Sequence, residues 1–163
     1  MRIIGIDPGL INTGYGVLEI AEHYRLECLA AGVIHPTSTE LSIRLLQIHQ
    51  QLTEVLHEFI PDTMAMEDLF TTYAHPKTAI LMGHARGVIY LAASQRGIPV
   101  TNYAPTEVKR AVTSHGRASK EQVQSMVQRL LQLPSLPTPD HVSDALSLAI
   151  CHAYRERVPM IKR

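Results

Sequence analysis

Three acidic residues occupy places where apolar segments give way to polar ones. Asp7 ends the run Ile3-Ile4-Gly5-Ile6 and is followed at once by Pro8-Gly9-Leu10-Ile11-Asn12-Thr13-Gly14-Tyr15-Gly16, a turn punctuated by glycine. Glu67 follows Met64-Ala65-Met66, and Asp144 closes Asp140-His141-Val142-Ser143-Asp144. Carboxylate oxygens are hard ligands suited to divalent cations such as Mg2+. Two such ions can hold a scissile phosphate, one activating water and the other steadying the leaving oxygen, where three or four oxygen-rich ligands meet. If the segments ending at Asp7 and Glu67 are adjacent central strands, the two carboxylates lie side by side, and neither stays ionised there without a cation. His141 and Asp144 are three residues apart, so on a helix they share one face. The pattern predicts a divalent-metal site built from Asp7, Glu67, Asp144 and His141.

The segment that carries His141 reads as a helix start, with Thr138 as N-cap, Pro139 at the first helical position and Asp140 in the first turn. His141 then lies beside the positive end of the helix, which disfavours the imidazolium. A neutral imidazole there can accept a proton from an ordered water or ligate a metal, and both roles stay open. Asp140 has a simpler explanation, since an acid in the first turn is ordinary helix stabilisation.

These residues need elements to position them. Residues Arg2–Asp7, Gly14–Ile20 and Leu26–Ile34 read as three strands whose short links imply an antiparallel meander. From Ser38 to Phe59, apolar residues Leu41, Leu45, Ile48, Leu52, Val55, Leu56 and Phe59 recur at helical spacing, and Pro61-Asp62 ends that helix. Thr63–Glu67 reads as a buried strand, a helix opens at Pro76 and runs to Gln95, and Ile98–Asn102 is another short strand. Helices follow over Thr106–Val112, Lys120–Leu133 and Pro139–Arg157. The order βββαβαβααα predicts a single α/β domain with a mixed sheet and helices on both of its faces.

Composition narrows the class. The 163 residues are 45% hydrophobic and 18% charged, as in a globular protein, and no apolar run reaches the roughly 20 residues of a membrane span. The N-terminus enters a strand without a secretory signal pattern, so a cytoplasmic location is expected. Cys28 and Cys151 show neither Cys-x-x-Cys spacing nor a nearby histidine partner, and read as structural thiols. Formal charge sums to zero but is unevenly spread: residues 21–69 hold two basic against eight acidic side chains, whereas residues 70–137 hold eight basic against two acidic. Such asymmetry fits a polyanion-binding face, with ordinary solvated helix faces as the alternative.

The motifs Asp7-Pro8-Gly9-Leu10-x-x-Thr13-Gly14-Tyr15-Gly16, Glu67-Asp68-Leu69-Phe70, Gly83-His84-Ala85-Arg86-Gly87 and Asp140-His141-x-x-Asp144-Ala145-Leu146 together resemble the RuvC-type Holliday-junction resolvases. The resemblance covers nearly the whole chain, in the family's order and spacing. It implies an RNase-H-like fold, with strands 1–3 antiparallel, strands 4 and 5 parallel to strand 1, and helices on both faces. It also implies a homodimer that cuts two strands of a four-way DNA junction with Mg2+, two ions per site and Mn2+ able to substitute. The cuts leave 5′-phosphate and 3′-hydroxyl ends suited to ligation, in homologous recombination and DNA repair. Contact with a branch-migration helicase complex is expected from the family.

In that family the active-site positions match Asp7, Glu67, His141 and Asp144. Members carry either aspartate or histidine at the third of these, which leaves open whether His141 ligates metal or relays protons. Phe70 matches an aromatic that stacks on an unpaired base near the crossover, a contact worth roughly 1–3 kcal/mol; core packing is its rival. Lys109 and Lys120 match basic residues near the DNA, where flexible ammonium groups suit phosphates. Arg117 belongs to the same basic stretch, with Arg110 and Arg2 ranked lower. Tyr73 and His75 border the DNA or lie in a surface loop. Ser119-x-x-Gln122 has capping-box spacing. Gly83-x-x-x-Gly87 marks close helix approach, either within the chain or, as the resemblance favours, between two copies.

Two other classes fit poorly. Asp7-x-Gly9 with Thr13-Gly14 superficially resembles the phosphate loop of actin-type and sugar-kinase phosphotransferases, but that class needs a duplicated domain and a second loop. A junction-binding scaffold that does not cut would be expected to lose acidic residues, and all of them are present.

Overall fold

The computed structural model describes residues 1–68 and 76–161. Its five-stranded sheet comprises β1 (Arg2–Asp7), β2 (Thr13–Ile20), β3 (Leu26–Ile34), β4 (Thr63–Glu67) and β5 (Val100–Tyr103), in the spatial order β3-β2-β1-β4-β5. The meander β1-β2-β3 is antiparallel, while β4 pairs parallel with β1 and β5 parallel with β4. Helices α1 (Leu41–Phe59) and α2 (Pro76–Ser94) alternate with β4 and β5, and α3 (Pro105–Thr113), α4 (Lys120–Leu130) and α5 (Asp140–Ile161) follow. This is the expected RNase-H-like arrangement. Among the described residues, no helix is long and apolar enough to cross a membrane.

Strand side chains alternate between faces with a period of two. Ile4, Ile6, Met64 and Met66 enter one apolar cluster with Ile48, Leu52 and Leu56 of α1 and Ile89 of α2. On the opposite face, Ile3 and Leu18 pack with Val123 and Val127 of α4 and with Leu146 and Ile150 of α5. Ala65 and Tyr103 meet Val108 of α3 and Leu148 of α5 on that same side. The alternation that sends Ile4, Ile6, Met64 and Met66 to the α1 and α2 side puts Asp7 and Glu67 on the α5 side.

Helix α5 crosses β1 and β2 at very short range because glycines form the surface beneath it. Gly5 and Gly16 are cross-strand partners, as are Asp7 and Gly14. A methyl group on Gly5 would lie 1.9 Å from the carbonyl oxygen of Ala145, and one on Gly14 would lie 2.0 Å from that of His141. Only hydrogen side chains permit this approach, which brings the first turn of α5 down onto the end of β1.

Several boundaries differ from expectation. Helix α1 starts at Leu41 rather than Ser38, because Ser38 Oγ accepts from the backbone of Glu40 and its carbonyl accepts from Arg44 Nε at 2.9 Å. Strand β5 begins at Val100 rather than Ile98: the Ile98 amide donates back to Ala93 and so closes α2. Helix α4 stops at Leu130 rather than Leu133, where Gln132 takes a left-handed φ of 52° and the Leu133 amide returns to Gln128. Pro139 does not occupy the first helical position. The Thr138–Pro139 bond is cis, α5 begins at Asp140, and the Pro139 carbonyl accepts from Val142. The Ser119/Gln122 capping box is formed in full at the start of α4. Cys151 is buried and Cys28 half-buried, both unpaired.

Candidate active site

The turn after Asp7 is tied by Thr13, which is fully buried. Its hydroxyl donates to the Gly9 carbonyl at 2.7 Å and accepts from the Gly9 amide at 3.3 Å. That local closure accounts for Thr13, and the approach of α5 accounts for Gly14. In the next strand pair Ile6 stands opposite Met66, so Asp7 and Glu67 follow at neighbouring strand ends. The α5 approach over Gly14 supplies the third side. His141 Nδ1–H donates to Oδ2 of Asp7 at 2.7 Å, with the carboxylate side chain 13% exposed and the imidazole 41%.

One cavity of about 240 Å3 is lined by Asp7, Glu67 and Asp144 together with Lys109, Lys120 and Ser147. Burial raises the proton affinity of all three carboxyls. Glu67 is pushed up to about 7, by desolvation first and then by the charges of Asp7 and Asp144, against the weaker pull of Arg86 and Lys120. Asp144 is raised by burial and by Asp7, and Asp7 is raised by burial against the hydrogen bond and charge of His141.

This donor set suits a hard divalent cation, which would relieve three mutually repelling, half-desolvated carboxylates. Among the described residues, however, no three His, Cys, Asp or Glu side chains are gathered closely enough to hold one metal ion. Asp7, Glu67 and Asp144 form walls of the cavity.

Lys109 and Lys120 both reach the cavity lining, and Lys120 lies within electrostatic range of all three carboxylates. Lys120 Nζ also stands 3.7 Å from Asp140 Oδ2, an exposed pair worth little. Arg117 is exposed on the segment between α3 and α4 and does not line the cavity. Arg2 lies at the far end of β1, where it pairs with Glu19 at 3.1 Å and donates to the Phe59 carbonyl, a structural role. Phe70, Tyr73 and His75 fall outside the described residues.

Sequence reasoning missed Ser147, although its spacing of three from Asp144 on one helix was a usable signal. It also favoured helix stabilisation as the explanation of Asp140. Asp140 in fact lines an adjoining cavity of about 600 Å3, which shares Asp7, Asp144 and Lys120 with the first and reaches Leu10 and Met82.

Comparisons with known proteins identify the family and the fold. The sequence model of the family described as crossover junction endodeoxyribonuclease RuvC matches residues 3–152. The crossover junction endodeoxyribonuclease RuvC of Syntrophomonas wolfei is 43% identical over 97% of this chain and 91% of the relative. That of Rhodopirellula baltica is 48% identical over 97% and 89% respectively. The structure of T. thermophilus RuvC in complex with Holliday junction substrate aligns with a TM-score of 0.88 at 34% identity, covering 97% of this chain and 96% of that one. The yeast mitochondrial Holliday junction resolvase Ydc2, at 16% identity and a TM-score of 0.65, shares the fold. The chain belongs to the RuvC family of crossover junction endodeoxyribonucleases.

Proposed function

We propose that this protein is a divalent-metal-dependent endonuclease that resolves four-way DNA junctions by paired, symmetric incisions. The observation that carries the reading is the convergence of Asp7, Glu67 and Asp144 on one cavity rimmed by Lys109 and Lys120. Mg2+ is the favoured cation, two per site, with Mn2+ as a substitute; when bound, it supplies charge to the phosphate and acidity to water. Asp7, Glu67 and Asp144 would hold the cation, whose charge would relieve their mutual repulsion. His141, with Nδ1–H committed to Asp7, keeps Nε2 free to ligate or to take a proton. Lys109 and Lys120 bind flanking phosphates, and Arg117 and Phe70 extend the DNA contact. Water attacks phosphorus as the bond to the 3′ oxygen breaks, water loses a proton and the 3′ oxygen gains one, which leaves 5′-phosphate and 3′-hydroxyl ends.

Two symmetric cuts need two sites, and a homodimer through α2 supplies them. Ile80 and Leu91 are 63% and 52% exposed on that helix, and a methyl group on Gly83 or Gly87 between them meets nothing within 4 Å. Packing within the chain therefore does not require these glycines, whereas a second helix can use them for close approach. A cytoplasmic location and contact with a branch-migration helicase complex belong to the same reading.

The test is incubation with a labelled mobile four-way junction and with linear duplex, with and without Mg2+, beside Asp7→Asn. Expected are paired, ligatable nicks on the junction alone, absent without metal. Asp7→Asn should lose cutting while binding the junction as well as or better than the parent, since phosphate repulsion is relieved. Junction binding without cutting under every metal tested would make the protein a scaffold, and lost binding by a folded Asp7→Asn would refute this division of roles.

A further inference from the structure

Arg86 lies in α2 and is only 7% exposed, although arginine is almost never buried without partners. Its guanidinium rises from the α1 and α2 side of the sheet and meets the end of β4. One terminal N–H donates to the carbonyl oxygen of Glu67, and the other donates to Oδ1 of Asn102 on β5 at 2.9 Å. Asn102 in turn donates from Nδ2 to the hydroxyl of Tyr90 at 2.6 Å. Tyr90 stands one turn beyond Arg86 on α2, and its ring centroid is 5.8 Å from the guanidinium carbon.

The carbonyl that Arg86 holds belongs to the last residue of β4, where sheet pairing ends. On the other side of the same peptide unit, the Asp68 amide donates to the Tyr103 carbonyl at 2.9 Å. Both polar atoms of the Glu67–Asp68 peptide are therefore bonded, and the peptide plane cannot turn without breaking one of them. That plane sets the direction in which the Glu67 side chain leaves the backbone, toward the cavity on the opposite face. A lysine could reach one acceptor but not bridge two at the angles of a planar fork.

We infer that Arg86 is a positioning residue for Glu67, acting through a clamp of Arg86, Asn102 and Tyr90 that aims the Glu67 carboxylate for metal binding. The inference rests on the nuclease reading above, because Glu67 needs aiming only if it holds a cation. Groups that orient a metal ligand without touching the metal commonly change affinity or activity by about 10–100-fold when removed.

The experiment compares the parent protein with Arg86→Lys, Asn102→Ala and Tyr90→Phe. It measures Mn2+ affinity by calorimetry, single-turnover junction cleavage against Mg2+ concentration, metal-free junction affinity and thermal unfolding. Arg86→Lys should raise the metal dissociation constant and the half-saturating Mg2+ about tenfold or more, and Asn102→Ala by a smaller factor in the same direction. Junction affinity without metal should stay within about twofold, because none of the three lines the cavity. Should Arg86→Lys fail to fold, Asn102→Ala decides the matter, since Asn102 is exposed and its truncation leaves the core intact. Unchanged metal affinity in folded variants would overturn the clamp, as would a loss of cleavage that merely follows lost stability and lost junction affinity. If the parent itself neither binds a divalent cation nor cuts a junction, the nuclease reading falls and takes the clamp with it, an outcome distinct from normal parent activity with indifferent variants.

Discussion

His141 and Asp7, separated by 134 positions in the chain, share a hydrogen bond of 2.7 Å from imidazole Nδ1 to carboxylate Oδ2. The bond spends the Nδ1 hydrogen on Asp7, so a neutral ring offers its Nε2 lone pair elsewhere. His141→Asp should retain junction cleavage, because a carboxylate can still ligate a cation. It also adds a negative charge beside Asp7 and Asp144, which raises their proton affinity, so the acid limb of the rate profile should move to higher pH. The check is single-turnover cleavage from pH 5.5 to 9. An unchanged profile would mean that Asp7 and Asp144 do not feel the charge at position 141.

The carboxylate cluster should make the stability of the metal-free protein fall with rising pH. Glu67 titrates near 7 in the folded protein against an ordinary 4.5, so between those values the folded state holds a proton that the unfolded chain has released. Its contribution to stability is complete below about 4.5 and is lost as pH passes 7. Asp7 and Asp144 are shifted in the same direction. Mg2+ competes with those protons, so its effect on Tm should be larger at pH 8 than at pH 5.5. Buried His152 acts oppositely, its pKa being lowered by burial, and Glu67→Gln isolates the carboxylate contribution. Scanning calorimetry should show a flatter metal-free Tm profile for Glu67→Gln; identical profiles would remove Glu67 from the cluster.

Two apolar runs that each end in a carboxylate already implied that Asp7 and Glu67 lie side by side if the runs are adjacent strands, and the spacing of His141 and Asp144 implied a shared helix face. Boundaries were less legible where a tertiary hydrogen bond decided them. The Ile98 amide is claimed by Ala93, and Pro99 accepts from Met64, so the strand begins two residues after the apolar pattern does. The role of Arg86, which the sequence marks only as part of the Gly83–Gly87 motif, was illegible for a different reason. A lone arginine in a helix reads as surface, and nothing local announces that its fork spans two strands.

Gly14→Ala should damage the site more than its small volume implies. The added methyl would meet the His141 carbonyl oxygen at 2.0 Å, and backbone cannot move aside as a flexible side chain can. Relief requires lifting the first turn of α5, which carries His141 and Asp144 away from Asp7. Overpacking of this kind typically costs about 1–3 kcal/mol, and cleavage should fall by a larger factor than Tm alone explains. The measurement is activity at a temperature where the variant is fully folded. Full activity there would mean that the helix position tolerates more displacement than the site geometry implies.

The exposed face of α2 yields a separate expectation. Leu91→Asp places a charge among Ile80, Gly83 and Gly87, where a partner helix would have to desolvate it. Sedimentation should show a monomer at concentrations where the parent is a dimer, with single nicks replacing paired incisions. A parent that sediments as a monomer at every concentration, or a variant that still dimerises, would remove α2 from the interface.

Lys109 and Lys120 line the same cavity but should behave differently when truncated. Each alanine variant should weaken junction binding and lower the salt dependence by about one phosphate contact. Lys120 alone also acts on Asp7, Glu67 and Asp144, lowering the proton affinity of all three. Removing its charge makes the cavity more negative. Lys120→Ala should therefore shift the acid limb of cleavage to higher pH, yet bind Mg2+ more tightly at pH 8, where the carboxylates are ionised and one repelling cation is gone. Lys109→Ala should leave the Mg2+ requirement unchanged. Titration of cleavage against Mg2+ at pH 6.5 and pH 8 separates the two. Equal metal requirements in both variants would reduce Lys120 to a phosphate contact.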